Sequence, residues 1–251
     1  MNASCSTHCA ARWAGGICLF ERAHHRRIAT VLEALDAPLL TGNGCLFGGG
    51  TAIALRHGEY RESVDIDFLV SDVAGYRTLR QRVTGPSGVA AITRAGAALQ
   101  QVREVRADQY GIRTILQVDQ FAIKFEIVLE ARIRLDAPGP DDQVCGVATL
   151  TPLDMVASKL LANSDRWADD GVFSRDLIDL AMLQPKGKRL TQAIEKARTA
   201  YGDSITADLA KAIVHLLGRP GRLERCIDAM QMTVPKALLW QRIKALELKQ
   251  A

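Results

Sequence analysis

The chain has 251 residues, 48% of them apolar and 24% charged, which excludes disorder, collagen and small disulfide scaffolds and allows one substantial core or two modest ones. Its 32 basic residues outnumber 28 acidic ones by only four, too small an excess for a long unspecific nucleic-acid track. Residues 1–150 hold 16 of each sign, whereas residues 151–251 hold 16 basic against 12 acidic, and of nine lysines only Lys124 precedes Lys159.

The first twenty residues, MNASCSTHCAARWAGGICLF, carry Arg12 as their one charge, a poor secretory signal without an Arg-rich transit pattern. Residues 1–19 are expected to be loosely ordered. Cys5, His8 and Cys9 lack the further ligands that a tetrahedral zinc site needs. The six cysteines show no repeated spacing, so a disulfide framework is not expected and a reducing cytoplasm fits. No stretch approaches the roughly 20 apolar residues that cross a bilayer, so no membrane is implied.

Ile28, Val31, Leu32 and Leu35 recur at helical spacing, a first helix that Asp36, Ala37 and Pro38 should end. Cys45, Leu46 and Phe47 then read as a short strand entering Gly48, Gly49 and Gly50, with a helix from Thr51 to Arg56 stopped by Gly58. Val64 to Val70 alternates and then turns wholly apolar, as a central strand does. Residues 84–98 suggest a loop with a short helix. Two strands, Arg113–Val118 and Phe121–Glu130, meet at Asp119-Gln120 as a hairpin. Residues 136–142 form a linker of prolines, glycine and aspartates. Beyond it Thr151 caps a helix with Pro152 at its first position, and further helices are predicted at 173–183, 189–200, 203–217, 220–231 and 235–249.

Asp65 and Asp67 lie two apart on a strand and share a face, where their repulsion calls for a cation; oxygen-seeking magnesium is the usual one. Ser63 adds to that face. Between strand and helix, Gly49, Gly50 and Thr51 either make a tight turn or present free N–H groups to an anion. The sequence GGTAIALRHGEYRESVDIDFL, residues 49–69, resembles the signature of polymerase-beta-type nucleotidyltransferases, a glycine pair followed by an Asp-hydrophobic-Asp strand. Within that superfamily it most resembles the AbiEii/AbiGii toxin family of abortive-infection and toxin–antitoxin systems. Fourteen residues separate Gly50 from Asp65, slightly more than is usual in the wider superfamily.

The resemblance implies an α+β fold, a mixed β-sheet flanked by helices, with a nucleotidyltransferase domain at 20–140 and a helical C-terminal domain at 141–251. It also implies a third carboxylate from a neighbouring strand. Glu126 is the candidate, and alternation puts Lys124 on its face; a third acid completing a two-metal site is the preferred reading of that pair, with a surface ion pair worth at most about 1 kcal/mol as the alternative. Distally, Lys159 followed by Arg175, Asp176 and Asp179 resembles the family's lysine helix and Arg-Asp-x-x-Asp pattern. By spacing alone Lys159 sits at the border of an apolar stripe and would be solvated, and Arg175 would pair with Asp179.

The implied activity is transfer of a nucleoside monophosphate from an NTP to an acceptor hydroxyl, with two magnesium ions held by Asp65, Asp67 and Glu126. Asp65, Asp67, Glu126 and Lys159 are the implied catalytic residues; Gly49, Gly50, Thr51, Ser63, Lys124, Asp176 and Asp179 would bind the nucleotide. The implied partners are an NTP, an RNA acceptor such as transfer RNA, and a nearby-encoded antitoxin, in the cytoplasm. Lys186, Lys188 and Arg189 suit an RNA backbone or a solvated loop. Competing readings are a small-molecule or protein acceptor, a magnesium-dependent nuclease, and a non-catalytic nucleotide- or partner-binding module.

Overall fold

The computed structural model describes residues 13–14, 17–18 and 20–247. The Cys5, His8, Cys9 group falls outside them, and of the 1–19 segment only a two-rung antiparallel ladder is described, β1 (Trp13–Ala14) with β2 (Ile17–Cys18).

Helix α1 (Ala23–Ala34) buries Ile28, Val31 and Leu32 as their spacing predicts. Asp36 does more than end it: its carboxylate accepts from the Leu39 N–H at 3.0 Å and caps a second helix, α2 (Ala37–Gly42), with Pro38 in the first turn. Then β3 (Cys45–Gly48) runs into α3 (Gly49–Arg56), and β4 (Ile66–Val70) into α4 (Val73–Val83), capped by Asp72. Within the expected loop a 3-10 turn spans Gly88–Ile92. Short strands β5 (Gln100–Gln101) and β6 (Arg106–Ala107) precede the long hairpin of β7 (Gly111–Val118) and β8 (Phe121–Leu129). Asp119, at φ +55°, makes the hairpin's tight turn.

The sheet order is β3-β4-β8-β7-β5, with β6 also on β7. Only β4 and β8 are parallel, and all other neighbours are antiparallel. A mixed sheet is therefore established, and its register sets the site: Gly48 pairs with Asp67, Asp67 with Glu126, and Glu126 with Arg113. The opposite face is apolar. There Phe47, Phe68 and Phe125 from three adjacent strands pack with ring centroids 5.5 and 5.6 Å apart.

The linker leads to a small hairpin, β9 (Gln143–Val144) and β10 (Val147–Ala148), whose turn residues Cys145 and Gly146 both have positive φ. Cys145 is disulfide-bonded, a departure from the expected free thiols, whereas Cys45 and Cys226 are free and buried. The Leu150 N–H donates to the Phe47 carbonyl at 3.0 Å, tying the linker's end to β3. The helical half comprises α5 (Pro152–Arg166), α6 (Arg175–Leu183), α7 (Lys188–Tyr201), α8 (Ser204–Leu217), α9 (Arg222–Ala229) and α10 (Lys236–Lys244). Thr151 caps α5 as predicted, accepting from the Asp154 N–H. The buried side chains form one cluster running from Phe20 to Leu246, so the α/β and helical parts share a continuous interior. Among the described residues no helix is long and apolar enough to cross a membrane.

Phe68 is the middle ring of the aromatic row and fully buried. Phe68→Ala should cost about 3–5 kcal/mol of stability by urea denaturation, and a loss below about 1 kcal/mol would show that the row does not hold the sheet.

Candidate functional site

Asp67 faces Glu126 across the one parallel ladder, with Asp65 one residue before β4 begins. The N-terminus of α3 reaches them at the edge of the sheet. Gly49 has φ +67°, and a Cβ there would stand 2.6 Å from the Asp67 carboxylate. A Cβ on Gly50 would collide with the Arg61 guanidinium. Gly49 is therefore required by the turn as well as by close approach, and Gly50 by close approach alone. The free N–H groups of the first turn, with no side-chain cap, open beside Asp67.

Thr51 and Ser63 turn inward. The Thr51 hydroxyl donates to the Asp65 carbonyl at 2.5 Å and lies 2.7 Å from the Ser63 hydroxyl. Expected against a phosphate, these two hydroxyls instead fix the backbone that presents Asp65. The Ser63 N–H in turn donates to His25 Nε2 at 3.2 Å, while His25 Nδ1 lies 2.8 Å from Glu59. An imidazole that accepts at Nε2 and donates at Nδ1 is neutral. Burial, outweighing Glu59, holds its pKa below the ordinary histidine value.

Glu126 is held from both sides, by Lys124 at 2.7 Å and by Arg113 at 3.1 Å. Asp67 has its pKa raised, first by burial and then by the charges of Asp65 and Glu126, with Lys124 and Lys159 pulling it back. Repelling carboxylates with oxygen-only donors fit a hard divalent cation. Among the described residues no three acid, histidine or cysteine side chains converge into a ready cage. Magnesium seldom uses one: it takes one or two carboxylates and completes its shell with water and substrate phosphate.

Behind α3 lies a buried ionic cluster that the sequence spacing does not reveal. Lys159 is 5% exposed and contacts Asp176 at 2.9 Å and Asp179 at 2.7 Å, so it is not the solvated lysine its helical position suggests. Arg61 reaches the fully buried Asp179 with two N–H groups, at 2.8 and 3.0 Å, and the Tyr60 hydroxyl donates to it at 2.5 Å. Arg166 forks onto Asp176 at 2.6 and 3.0 Å. Asp179 thus pairs with Arg61 and Lys159, where Arg175 had been the local candidate. Burial alone would discharge Lys159, but the two aspartates push its pKa above the usual lysine value. Burial would likewise raise Asp179, and Arg61 and Lys159 hold it below the usual carboxylate range. Three cations meet two carboxylates, which leaves the cluster with one net positive charge; Arg61 and Asp179 lie against Gly50, and Lys159 pulls the pKa of Asp67 down. Lys186, Lys188 and Arg189 are exposed at the start of α7, in the helical half.

A family model for the nucleotidyl transferase AbiEii toxin of type IV toxin–antitoxin systems matches residues 31–246. The chain belongs to the AbiEii family. As a family member it is a nucleotidyltransferase of a toxin–antitoxin system. Two Helicobacter pylori structures are similar to it. One is described as a nucleotidyltransferase, with TM-score 0.49, 16% identity and coverage of 91% of this chain and 96% of the other. The second, JHP933, has TM-score 0.49, 17% identity and coverage of 91% and 93%. No curated protein matches the sequence.

Two outcomes follow for this AbiEii member. Because the native His25 binds a proton less readily than the unfolded one, its contribution to stability is full above about pH 6.5 and falls as pH drops below it, by at most about 1.4 kcal/mol per pH unit, on top of a like contribution from His57, whose burial also lowers its pKa. Chemical denaturation between pH 7.5 and 5 should show that slope reduced in His25→Gln, and equal slopes would remove His25 from the cause. Gly49→Ala combines positive φ with a carboxylate in its path, so its transfer activity should fall more than its stability, about 1–2 kcal/mol. Wild-type activity in Gly49→Ala would show that the approach of α3 to Asp67 does not matter.

Proposed function

We propose that this chain is a magnesium-dependent nucleotidyltransferase that moves a nucleoside monophosphate from an NTP to an RNA hydroxyl. The observation that carries this is the registered pair of Asp67 and Glu126 beside Asp65, facing the glycine-lined N-terminus of α3, in a member of a nucleotidyltransferase family. Asp65, Asp67 and Glu126 would hold the metal. Magnesium there would supply charge neutralisation on the triphosphate and activation of the acceptor hydroxyl.

The rest falls to the chain's own groups. The N–H groups of Gly49 and Gly50 cradle phosphate oxygens, and the dipole of α3 favours them. Lys124, half exposed beside Glu126, offsets charge that develops on the departing pyrophosphate. Thr51 and Ser63 orient Asp65. Lys159, Arg61 and Arg166, with Asp176 and Asp179, form the buried cluster behind α3 and carry a surplus of one positive charge. Glu126 also accepts the acceptor's proton as it attacks.

Incubation with each labelled NTP, magnesium and total RNA should give labelled RNA without loss of length. Asp65→Ala or Asp67→Ala should lower the rate about 1,000-fold, the rate equivalent of several kcal/mol, and EDTA should stop the reaction until magnesium is restored. Retained activity in either variant would refute the metal assignment, and shortened RNA would point to a nuclease.

A further inference from the structure

The registered row that contains the acids continues past them. Gly48, Asp67, Glu126, Arg113 and Arg106 are successive Cα partners across β3, β4, β8, β7 and β6. Along it the chemistry changes from a helix-opening glycine, through two carboxylates, to two arginines. Two strand spacings, about 10 Å, separate Glu126 from Arg106. On the next row of the same face, Lys124 pairs with Ile115.

Strands β7 and β8 bury only one face, through Ile112, Leu116, Ile123, Phe125 and Ile127. The other is open to solvent: the side chains of Arg113 and Lys124 are 43% and 48% exposed, and Val102 beside Ile115 is 47% exposed. Arg113 is shared between Glu126 and Asp108, whereas exposed Arg106 has no ion-pair partner among the described residues. An uncovered sheet face that is cationic at its outer end and carries apolar side chains beside the charges suits the backbone of a single-stranded nucleic acid. Guanidinium forks match phosphate oxygens.

We infer that this open face binds the backbone of the acceptor RNA. Its terminal hydroxyl lies over Asp65, Asp67 and Glu126, and the preceding phosphates lie on Arg113 and Arg106. This rests on the nucleotidyl-transfer reading and adds the route by which the acceptor enters. It also places the RNA contacts in the catalytic half and away from the Lys186, Lys188 and Arg189 cluster.

The test is fluorescence anisotropy with a 3′-overhang RNA in metal-free buffer, using the full chain carrying Asp65→Ala and Asp67→Ala so that no transfer intervenes. On that background Arg106→Glu should raise the Kd at least tenfold, and Arg106→Ala with Arg113→Ala should reduce the slope of log K against log salt by about 1.4, two phosphate contacts at about 0.7 each. Circular dichroism melts matching the parent confirm that the variants are folded. Unchanged affinity and slope in these variants would overturn the inference. So would loss of binding confined to a Lys186→Ala, Lys188→Ala, Arg189→Ala variant, or absence of RNA binding by the parent. A separate transfer assay on wild type tells the two readings apart: transfer to RNA with an unaltered KM for RNA in Arg106→Glu leaves the activity standing and removes the platform. RNA binding lost in Arg106→Glu, with no wild-type transfer to any acceptor, does the reverse.

Discussion

The position of the acidic strand depends on a buried charge cluster. Asp179, with no exposure to solvent, could not remain ionised without Arg61 and Lys159, and Lys159 could not remain protonated without Asp176 and Asp179. Arg61 comes from the loop before β4, Lys159 from α5, and the aspartates from α6. One set of ion pairs therefore joins the α/β half to the helical half directly under the N-terminus of α3. Gly50 exists as glycine because Arg61 lies against it, and Gly49 because Asp67 does. The backbone agrees with the side chains: the Glu62 N–H donates to the Met230 carbonyl and the Thr233 N–H to the Tyr60 carbonyl, so the segment after α9 clamps the same loop.

This cluster also accounts for the long interval between Gly50 and Asp65. Helix α3 ends at Arg56, and the residues that remain form a loop that carries Tyr60 and Arg61 to Asp179, then Ser63 to Thr51 and His25. Each contact restrains the chain just before the two aspartates. Preorganisation of that kind costs stability elsewhere unless every buried polar group is satisfied, and in this loop each of those groups has a partner.

Much of this was legible in the sequence where a local period governs. Alternation set Asp67 opposite Ile66 and Phe68, and Lys124 and Glu126 opposite Phe125 and Ile127, because a strand's side chains have no other arrangement once those apolar residues are buried. The strands at 113–118 and 121–130 and the capped helix at Thr151 were read to within a few residues for the same reason. The short strands β5 and β6 were not, since two residues carry no period. Helix α4 was missed although Tyr76, Leu79 and Val83 recur at helical spacing, because the three arginines, threonine and glutamine between them leave only a narrow apolar stripe. Asp36 read as a stop, although the same carboxylate starts α2.

The family resemblance brought Lys159 together with Asp176 and Asp179, but its burial was not legible in its helical spacing: its environment is set by residues 17 and 20 positions on and by Arg61 nearly a hundred positions back, and no helical wheel contains them. Thr51 read as a phosphate contact because a hydroxyl after two glycines opening a helix suits one, and only the tertiary structure shows it spent on Asp65. A double-mutant cycle on Arg61→Gln and Asp179→Asn, read in both stability and transfer rate, tests the dependence of the site on this cluster most directly. Each single change should cost about 3–5 kcal/mol and slow transfer, and the double should cost clearly less than their sum because it leaves fewer buried charges unpaired. Costs that add within about 0.5 kcal/mol, with wild-type transfer rates in both single variants, would contradict it.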